Sequence, residues 1–369
     1  MGIDYERAAE CVGIGEHVYL DDGSLELYVL EKEGEKLRCR VEVGGELKSR
    51  KGVIFPDSDV EFPLINEKDN ADAKFGAEVG VDMLAMSFVR SATEILEMRI
   101  RLDKWGKEDS FIVAKIEDRK AVESVDDILH VADGILIARG DLGVTLPREK
   151  VPALQKFITK KANQRGVPVI TATQVLESMT FHHKPTRAEV NDVHNAVIDR
   201  TDAVMLSGET ASGSYPNLAV LEMDRICREA EACRIELGIP RTVTTQSKEG
   251  IRAQIAASAV SVAENMDARC IMAFSRSGGT LRALSSARAN APVYGVLVED
   301  AVLRQLLLNS GLRLSTMPEK KKLESLLRPT LARLKKQSAI ERGDRVVVVA
   351  NQAESGFEST HLLKIYVVG

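Results

Sequence analysis

From about residue 65 the chain alternates short apolar runs with longer stretches of helical periodicity, and this alternation limits the fold more than any other feature. The runs are VDMLAMSF (81–88), FIVAKI (111–116), GILIA (134–138), VPVITA (167–172) and DAVMLS (202–207). Continuous apolar runs of this length are the mark of strands buried on both faces. Separated by helical stretches, they predict βα units around a buried parallel sheet. Polar and glycine residues follow each run, where a β/α barrel builds its active site.

The flanks read differently. Residues 1–61 carry short β-type runs, HVYL (17–20), LELYVL (25–30) and LRCRVEV (37–43), with turns at DDGS (21–24) and VGGE (43–46). Close spacing and glycine turns predict a small antiparallel sheet. After residue 243 a separate α/β segment is expected. A helix over 250–265 leads to strand CIMAF (270–274), a glycine turn, a helix and strand VYGVLV (293–298). A further helix and the strands RVVVVA (345–350) and LLKIYVV (362–368) complete it. The charged run TTQSKEG (244–250) is the expected junction. The division is thus 1–61, 62–242 and 243–369. A closed barrel needs eight strands, so the expected class is α/β, with an incomplete TIM-type β/α barrel, a partial β-rich domain and a C-terminal α/β domain.

A length of 369 residues with 44% hydrophobic side chains can bury more than one core. The net charge of −5 argues against nucleic acid as a partner. No apolar run is long enough to span a membrane, and no signal-peptide pattern opens the chain. The five cysteines, with no CxxC spacing, fit reduced thiols in a cytoplasmic protein.

The chemistry gathers after the strands. In AKIED (114–118), Lys115 and Glu117 are two apart and face one side. A lysine in an apolar strand is costly unless an anion meets it. A structural ion pair between the two explains the same residues. In DGILIARGDLGV (133–144) an apolar strand turns into Arg139-Gly140-Asp141, where free backbone N–H groups can hold an anion. Glu117 and Asp141, on neighbouring strands, suit a Mg²⁺ site completed by water and substrate oxygens. A helix N-cap role explains Asp141 equally. Thr173 in TATQVLESM (171–179) falls at a strand end. Ser207 and Glu209 follow the last strand in MLSGETASG (205–213). In PTRAEVNDVHNAV (185–197), Thr186 and Glu189 fit a helix capping box.

These strings, in this order and spacing, resemble the pyruvate kinase family. The front resembles it too, in YLDDGS (19–24) and KGVIFP (51–56), as does the tail, in FSRSGGT (274–280) and ERGDRVVVV (341–349). The resemblance implies phosphoryl transfer from phosphoenolpyruvate to ADP, giving pyruvate and ATP in glycolysis. It implies Lys115 stabilising charge on the phosphoryl group and the enolate. Glu117 and Asp141 would hold Mg²⁺ or Mn²⁺, and K⁺ would be a second cation. Gly140 and Asp141 N–H groups, with Thr173, would hold the substrate carboxylate. Ser207 and Glu209 would lie near the proton path to the enolate, and Lys51 would approach nucleotide phosphates. The turn Ser275-Arg276-Ser277-Gly278-Gly279-Thr280 follows a strand and opens a helix, a phosphate-nest geometry that in the family receives a sugar-phosphate effector. An ordinary strand–helix turn accounts for it as well. The family is usually a homotetramer, with Arg187 and the C-terminal domain as contact surfaces.

The sequence also departs from the family. An Arg-x-Asn-x-Ser-His segment and the first barrel strands do not occur, so a truncated chain is expected. His194, Arg200, Ile54 and the run NQAESGFESTH (351–361) replace usual residues. Two other readings compete: a catalytically impaired fragment or non-catalytic assembly product of the same family, and a metal-dependent pyruvate aldolase. TATQVLESM and the C-terminal segment speak against the aldolase.

Overall fold

The computed structural model describes residues 2–3, 7–21, 23–49, 51–58, 65–238, 250–316, 323–350 and 362–369. The expected boundaries at 61/62 and 242/243 lie outside these residues. So do the junction run at 244–249, Asp22 of the DDGS turn and the run 351–361. The chain forms two compact units, Met1–Ile158 with Thr171–Gln174, and Thr159–Ile170 with Val175–Gly369.

The first unit opens with a short helix α1 (Ala8–Cys11) and the strands β1 (His17–Leu20), β2 (Leu25–Glu33), β3 (Lys36–Val43) and β4 (Val53–Ile54). They form the expected antiparallel sheet, in order β3-β2-β1-β4. Alternation along β1 buries Val18 and Leu20, which meet Val12, Leu25 and Val29 in one small core.

The barrel-type elements follow: α2 (Glu67–Val79), β5 (Met83–Met86), α3 (Ala92–Lys104), β6 (Phe111–Ile116), α4 (Arg119–Glu123), α5 (Val125–Val131), β7 (Gly134–Ala138) and α6 (Arg139–Thr145). Local chemistry sets several boundaries. The Asn66 side chain caps α2 by accepting the Asp69 N–H, and Gly80 ends it in the left-handed region at φ 78°. Strands β5, β6 and β7 pair parallel. All of β7, and all of β6 except Lys115, are buried, as central strands of a parallel sheet require. Ile112, Ile116, Ile135 and Ile137 are fully buried there. Each contributes about 1.5–3 kcal/mol of hydrophobic stabilisation.

Next come α7 (Val151–Arg165), β8 (Val169–Ala172), α8 (Arg187–Ile198), β9 (Ala203–Val204), α9 (Gly208–Ala211) and α10 (Pro216–Glu236). The strand order β5-β6-β7-β8-β9 follows the chain, as successive βα units dictate. Three strands are shorter than the apolar runs that announce them: DAVMLS yields only β9, VDMLAMSF only β5, and VPVITA only β8. In the second unit, Thr186 and Glu189 form the capping box at the start of α8. Val193 of α8 and Ala219, Met223 and Ile226 of α10 share one core.

The C-terminal segment holds α11 (Gly250–Asn265), β10 (Cys270–Ser275), α12 (Gly279–Ser286), β11 (Val293–Leu297), α13 (Asp300–Leu306), β12 (Leu312–Thr316), α14 (Leu323–Lys336), β13 (Arg345–Ala350) and β14 (Leu362–Val367). The sheet order is β12-β11-β10-β13-β14, with β14 antiparallel at one edge. Strand β12 has no counterpart in the sequence reading. It is an edge strand whose residues are all half-buried or exposed, so its apolar signal is weak.

Candidate active site

Parallel pairing brings the C-terminal ends of β5, β6 and β7 to one edge, because Met86 lies opposite Ala114 and Ile116 opposite Ile137. Lys115 emerges there. Its Nζ lies 2.6 Å from Glu117 Oε1 and donates to Ser87 Oγ at 2.8 Å. Glu117 follows the last residue of β6 and is only 2% exposed. Its other oxygen, Oε2, accepts the Phe88 N–H. The ion pair that a purely structural reading expects is therefore formed. It also fixes the ammonium and the carboxylate at the mouth of the sheet.

The next strand end carries a second cluster. Helix α6 starts directly after β7, with Ala138 as its N-cap, so Asp141 sits in the first helical turn. This corrects the N-cap alternative for Asp141. A carboxylate in that turn is favoured by the helix dipole. The Gly140 N–H donates to Thr173 Oγ1 at 2.8 Å, and that hydroxyl donates to Ala172 O at 2.7 Å. Gly140 N–H is thus engaged by Thr173. Thr173 and Gln174 both take positive φ, 64° and 51°. For a β-branched residue this is strained backbone. Arg139 holds it: its guanidinium donates to Thr173 O at 2.7 Å and Gln174 O at 2.9 Å, with a longer bond to Ala172 O. Sequence reasoning passed over Arg139 and Ser87 as functional residues. The signal for Arg139 was an arginine directly after a fully apolar strand.

In the second unit Glu209 is 3% exposed, accepting Leu176 N–H at 3.0 Å and Ser207 N–H at 2.7 Å. It ties the TATQVLESM loop to the turn after β9. Glu189 accepts Ser178 N–H at 2.8 Å and Oγ at 2.6 Å, besides the two Thr186 bonds of the capping box. Burial pushes its carboxyl up, but these bonds together outweigh burial and leave it below the ordinary value.

Lys51 lies 2.7 Å from Asp21 Oδ1, so the small sheet already supplies its counter-charge. In the Ser275–Thr280 turn, Gly278 takes φ 80° as the N-cap of α12, and its N–H donates to Ser275 Oγ at 3.1 Å. A Cβ on Gly279 would sit 2.5 Å from Arg252 Nη1, so glycine allows that guanidinium to approach the backbone. Arg282 donates to Ser277 O at 3.1 Å.

The structure thus pairs Lys115 with Glu117, Gly140 with Thr173, and Ser207 with Glu209. Glu117 tests well as a metal ligand: it is a buried, oriented carboxylate, the hard oxygen donor a divalent ion takes. Among the described residues no group of three or more His, Cys, Asp or Glu gathers as a metal cage. Mg²⁺ sites commonly use one or two carboxylates with water and substrate.

Comparison with known proteins bears on these motifs directly. The family model for the pyruvate kinase barrel domain matches residues 1–220. The chain belongs to the pyruvate kinase family. The model for the pyruvate kinase alpha/beta domain matches residues 253–366. Pyruvate kinase from Bacillus licheniformis is 40% identical over the whole of this chain and 63% of its own length. The Geobacillus stearothermophilus pyruvate kinase is 39% identical over the same shares. Pyruvate kinase 2 of Trypanosoma brucei brucei is 39% identical over 96% of this chain and 73% of its own. The chain therefore spans just under two thirds of the Bacillus and Geobacillus relatives. No described helix is long and apolar enough to cross a membrane.

Proposed function

We propose that this chain transfers the phosphoryl group of phosphoenolpyruvate to ADP, giving pyruvate and ATP. The observation that carries the reading is the Lys115–Glu117 pair at the end of β6, 2.6 Å apart, with the carboxylate almost fully buried. A positioned cation beside an oriented carboxylate suits a reaction in which charge moves between oxygens and placement does most of the work.

In this reading the P–O bond to the enol oxygen breaks, and a bond forms to the terminal phosphate oxygen of ADP. The Lys115 ammonium stabilises charge on the phosphoryl group and on the enolate oxygen. Glu117 and Asp141 would hold the divalent ion, Mg²⁺ or Mn²⁺, which supplies Lewis-acid charge compensation when bound. Gly140, Asp141 and Thr173 bind the substrate carboxylate, with Arg139 keeping the Thr173 backbone in register. Ser207 and Glu209 serve proton delivery to the enolate carbon. Lys51 exchanges Asp21 for nucleotide phosphates.

K⁺ as a second cation, a sugar-phosphate effector at Ser275–Thr280, a homotetramer and a cytoplasmic setting belong to the same proposal. They are supported by the family resemblance of the motifs. So does a three-part division at 1–61, 62–242 and 243–369.

The test is pyruvate formation from phosphoenolpyruvate and ADP with Mg²⁺ and K⁺, with Lys115→Met as control. Loss of the ammonium should cost several powers of ten in rate, about 3–6 kcal/mol. Folded protein without turnover, or turnover unchanged in Lys115→Met, would overturn the assignment.

A further inference from the structure

The C-terminal α/β segment contains a cavity of about 650 Å³ that none of the motifs above uses. It opens at the end of the sheet where the parallel strands begin. Arg269 stands just before β10, Pro292 just before β11, and Arg313 near the start of β12. Ser338 and Ala339 follow α14. The Ser275–Thr280 turn follows the opposite end of β10. Six residues of strand separate the two ends by about 20 Å, so this cavity is distinct from the turn.

Three guanidiniums line it, and each is positioned by a neutral partner. Arg269 Nε donates to Ala339 O at 3.1 Å. Arg313 lies over the Tyr294 ring and donates to the Tyr294 hydroxyl at 2.8 Å. Arg333 donates to Ser315 Oγ at 2.7 Å. Among the described residues that line the cavity there is no Asp or Glu, and no described carboxylate pairs with any of the three. A guanidinium has five N–H donors in a planar fork. Carbonyl, phenol and serine acceptors use few of them and offset no charge. Three like charges held around one concavity repel each other, and a fold that keeps them there gains most from an anion between them.

We infer that this cavity binds a small organic polyanion carrying two or more phosphate or carboxylate groups, gripped by Arg269, Arg313 and Arg333. Its volume accommodates a molecule of metabolite size. The site does not depend on the catalytic reading, because the argument uses only residues of the C-terminal sheet and α14.

The experiment is titration calorimetry of the whole chain with two probes, inorganic pyrophosphate and citrate, repeated with Arg313→Gln, Arg333→Gln and Arg269→Gln. Arg276→Gln serves as the control at the Ser275–Thr280 turn. Binding of at least one probe should weaken about tenfold or more with each cavity substitution, as expected for charge-assisted bonds, and hold in Arg276→Gln. Preference for pyrophosphate assigns a phosphate ligand, and preference for citrate a carboxylate one. A second measurement uses the unsubstituted protein: phenylglyoxal labelling of Arg269, Arg313 and Arg333, mapped by peptide mass, should fall when the probe is present. Neither probe binding, or binding that ignores the three cavity substitutions and leaves their labelling unprotected, would overturn the inference.

Discussion

The Asp202 carboxylate and the Arg288 guanidinium meet at 2.9 Å, with more than nine-tenths of each side chain buried. Asp202 also accepts Val169 N–H at 3.0 Å and Ser310 N–H at 3.2 Å. Arg288 donates to Arg200 O at 2.8 Å and to Asn163 Oδ1 at 3.3 Å. One buried ion pair therefore fastens the start of β9 to the residues after α12 and before β12. Removing one member strands the other without a partner of opposite charge. Arg288→Met should cost about 3–5 kcal/mol, read as a lower urea midpoint. The double variant Asp202→Asn/Arg288→Met should recover part of that loss. A loss in the double variant equal to the sum of the two single losses would show that the pairing itself matters little.

Thr173 gives a sharper test of the site. Thr173→Val removes the hydroxyl that accepts the Gly140 N–H while keeping shape and β-branching. Under the proposed reaction the rate should drop about 10²-fold, with little change in thermal midpoint. Thr173→Ser should retain most of the rate. A Val variant as fast as the parent would remove Thr173 from the carboxylate-binding group.

Glu189 should report on acid stability. Its carboxyl is held below the ordinary value, because the Ser178 and Thr186 bonds prevail over burial. A depressed carboxyl contributes stability above its unfolded value and loses it as pH falls through the folded one. Glu189→Gln should therefore destabilise the chain by about 1 kcal/mol near neutrality. That difference should shrink below about pH 4. Chemical denaturation at the two pH values checks it, and a gap that widens in acid would contradict the assignment.

The thiols predict an alkaline response. Burial pushes Cys270 up to about 12 and Cys227 up to about 11, against an ordinary value of 9.0. Both groups stay protonated in the folded chain while the unfolded chain ionises. Their contribution is complete below pH 9.0 and is lost as pH rises towards 11 and 12. Stability should fall over that window, and less steeply in Cys270→Ala. Among the five free cysteines, Cys270 should be the slowest to react with a disulfide reagent, because it alone is buried. Prompt labelling of Cys270 in the folded chain would contradict its burial.

Much of the architecture was legible because its signals are local. Continuous apolar runs announced β6 and β7 residue for residue, and Thr186 with Glu189 announced the start of α8 through a motif four residues long. Helix α11 occupies the expected span from 250 to 265. What stayed hidden depends on partners far along the chain. Strand β12 is half-exposed and, among the described residues, pairs only with β11. The grip of Arg139 on three carbonyls requires β7 and the loop after β8 to be in place. The three arginines of the C-terminal cavity come from the residue before β10, from β12 and from α14, and only the sheet order assembles them. At the site, Lys115 and Glu117 were readable as a pair by spacing. The engagement of Gly140 by Thr173 was not, since it follows from a left-handed backbone no pattern signals.

That left-handed backbone sets a conflict between durability and chemistry. Glycine at 173 or 174 would relax the positive φ angles at no steric cost. A chain improved only for heat resistance would drift towards it. At 173 the same change removes the hydroxyl, and at either position it loosens the three carbonyls that Arg139 clamps. Selection for robustness and selection for turnover therefore pull these two residues in opposite directions. A library sorted first by melting point and then by rate should enrich glycine in the first sort and purge it in the second.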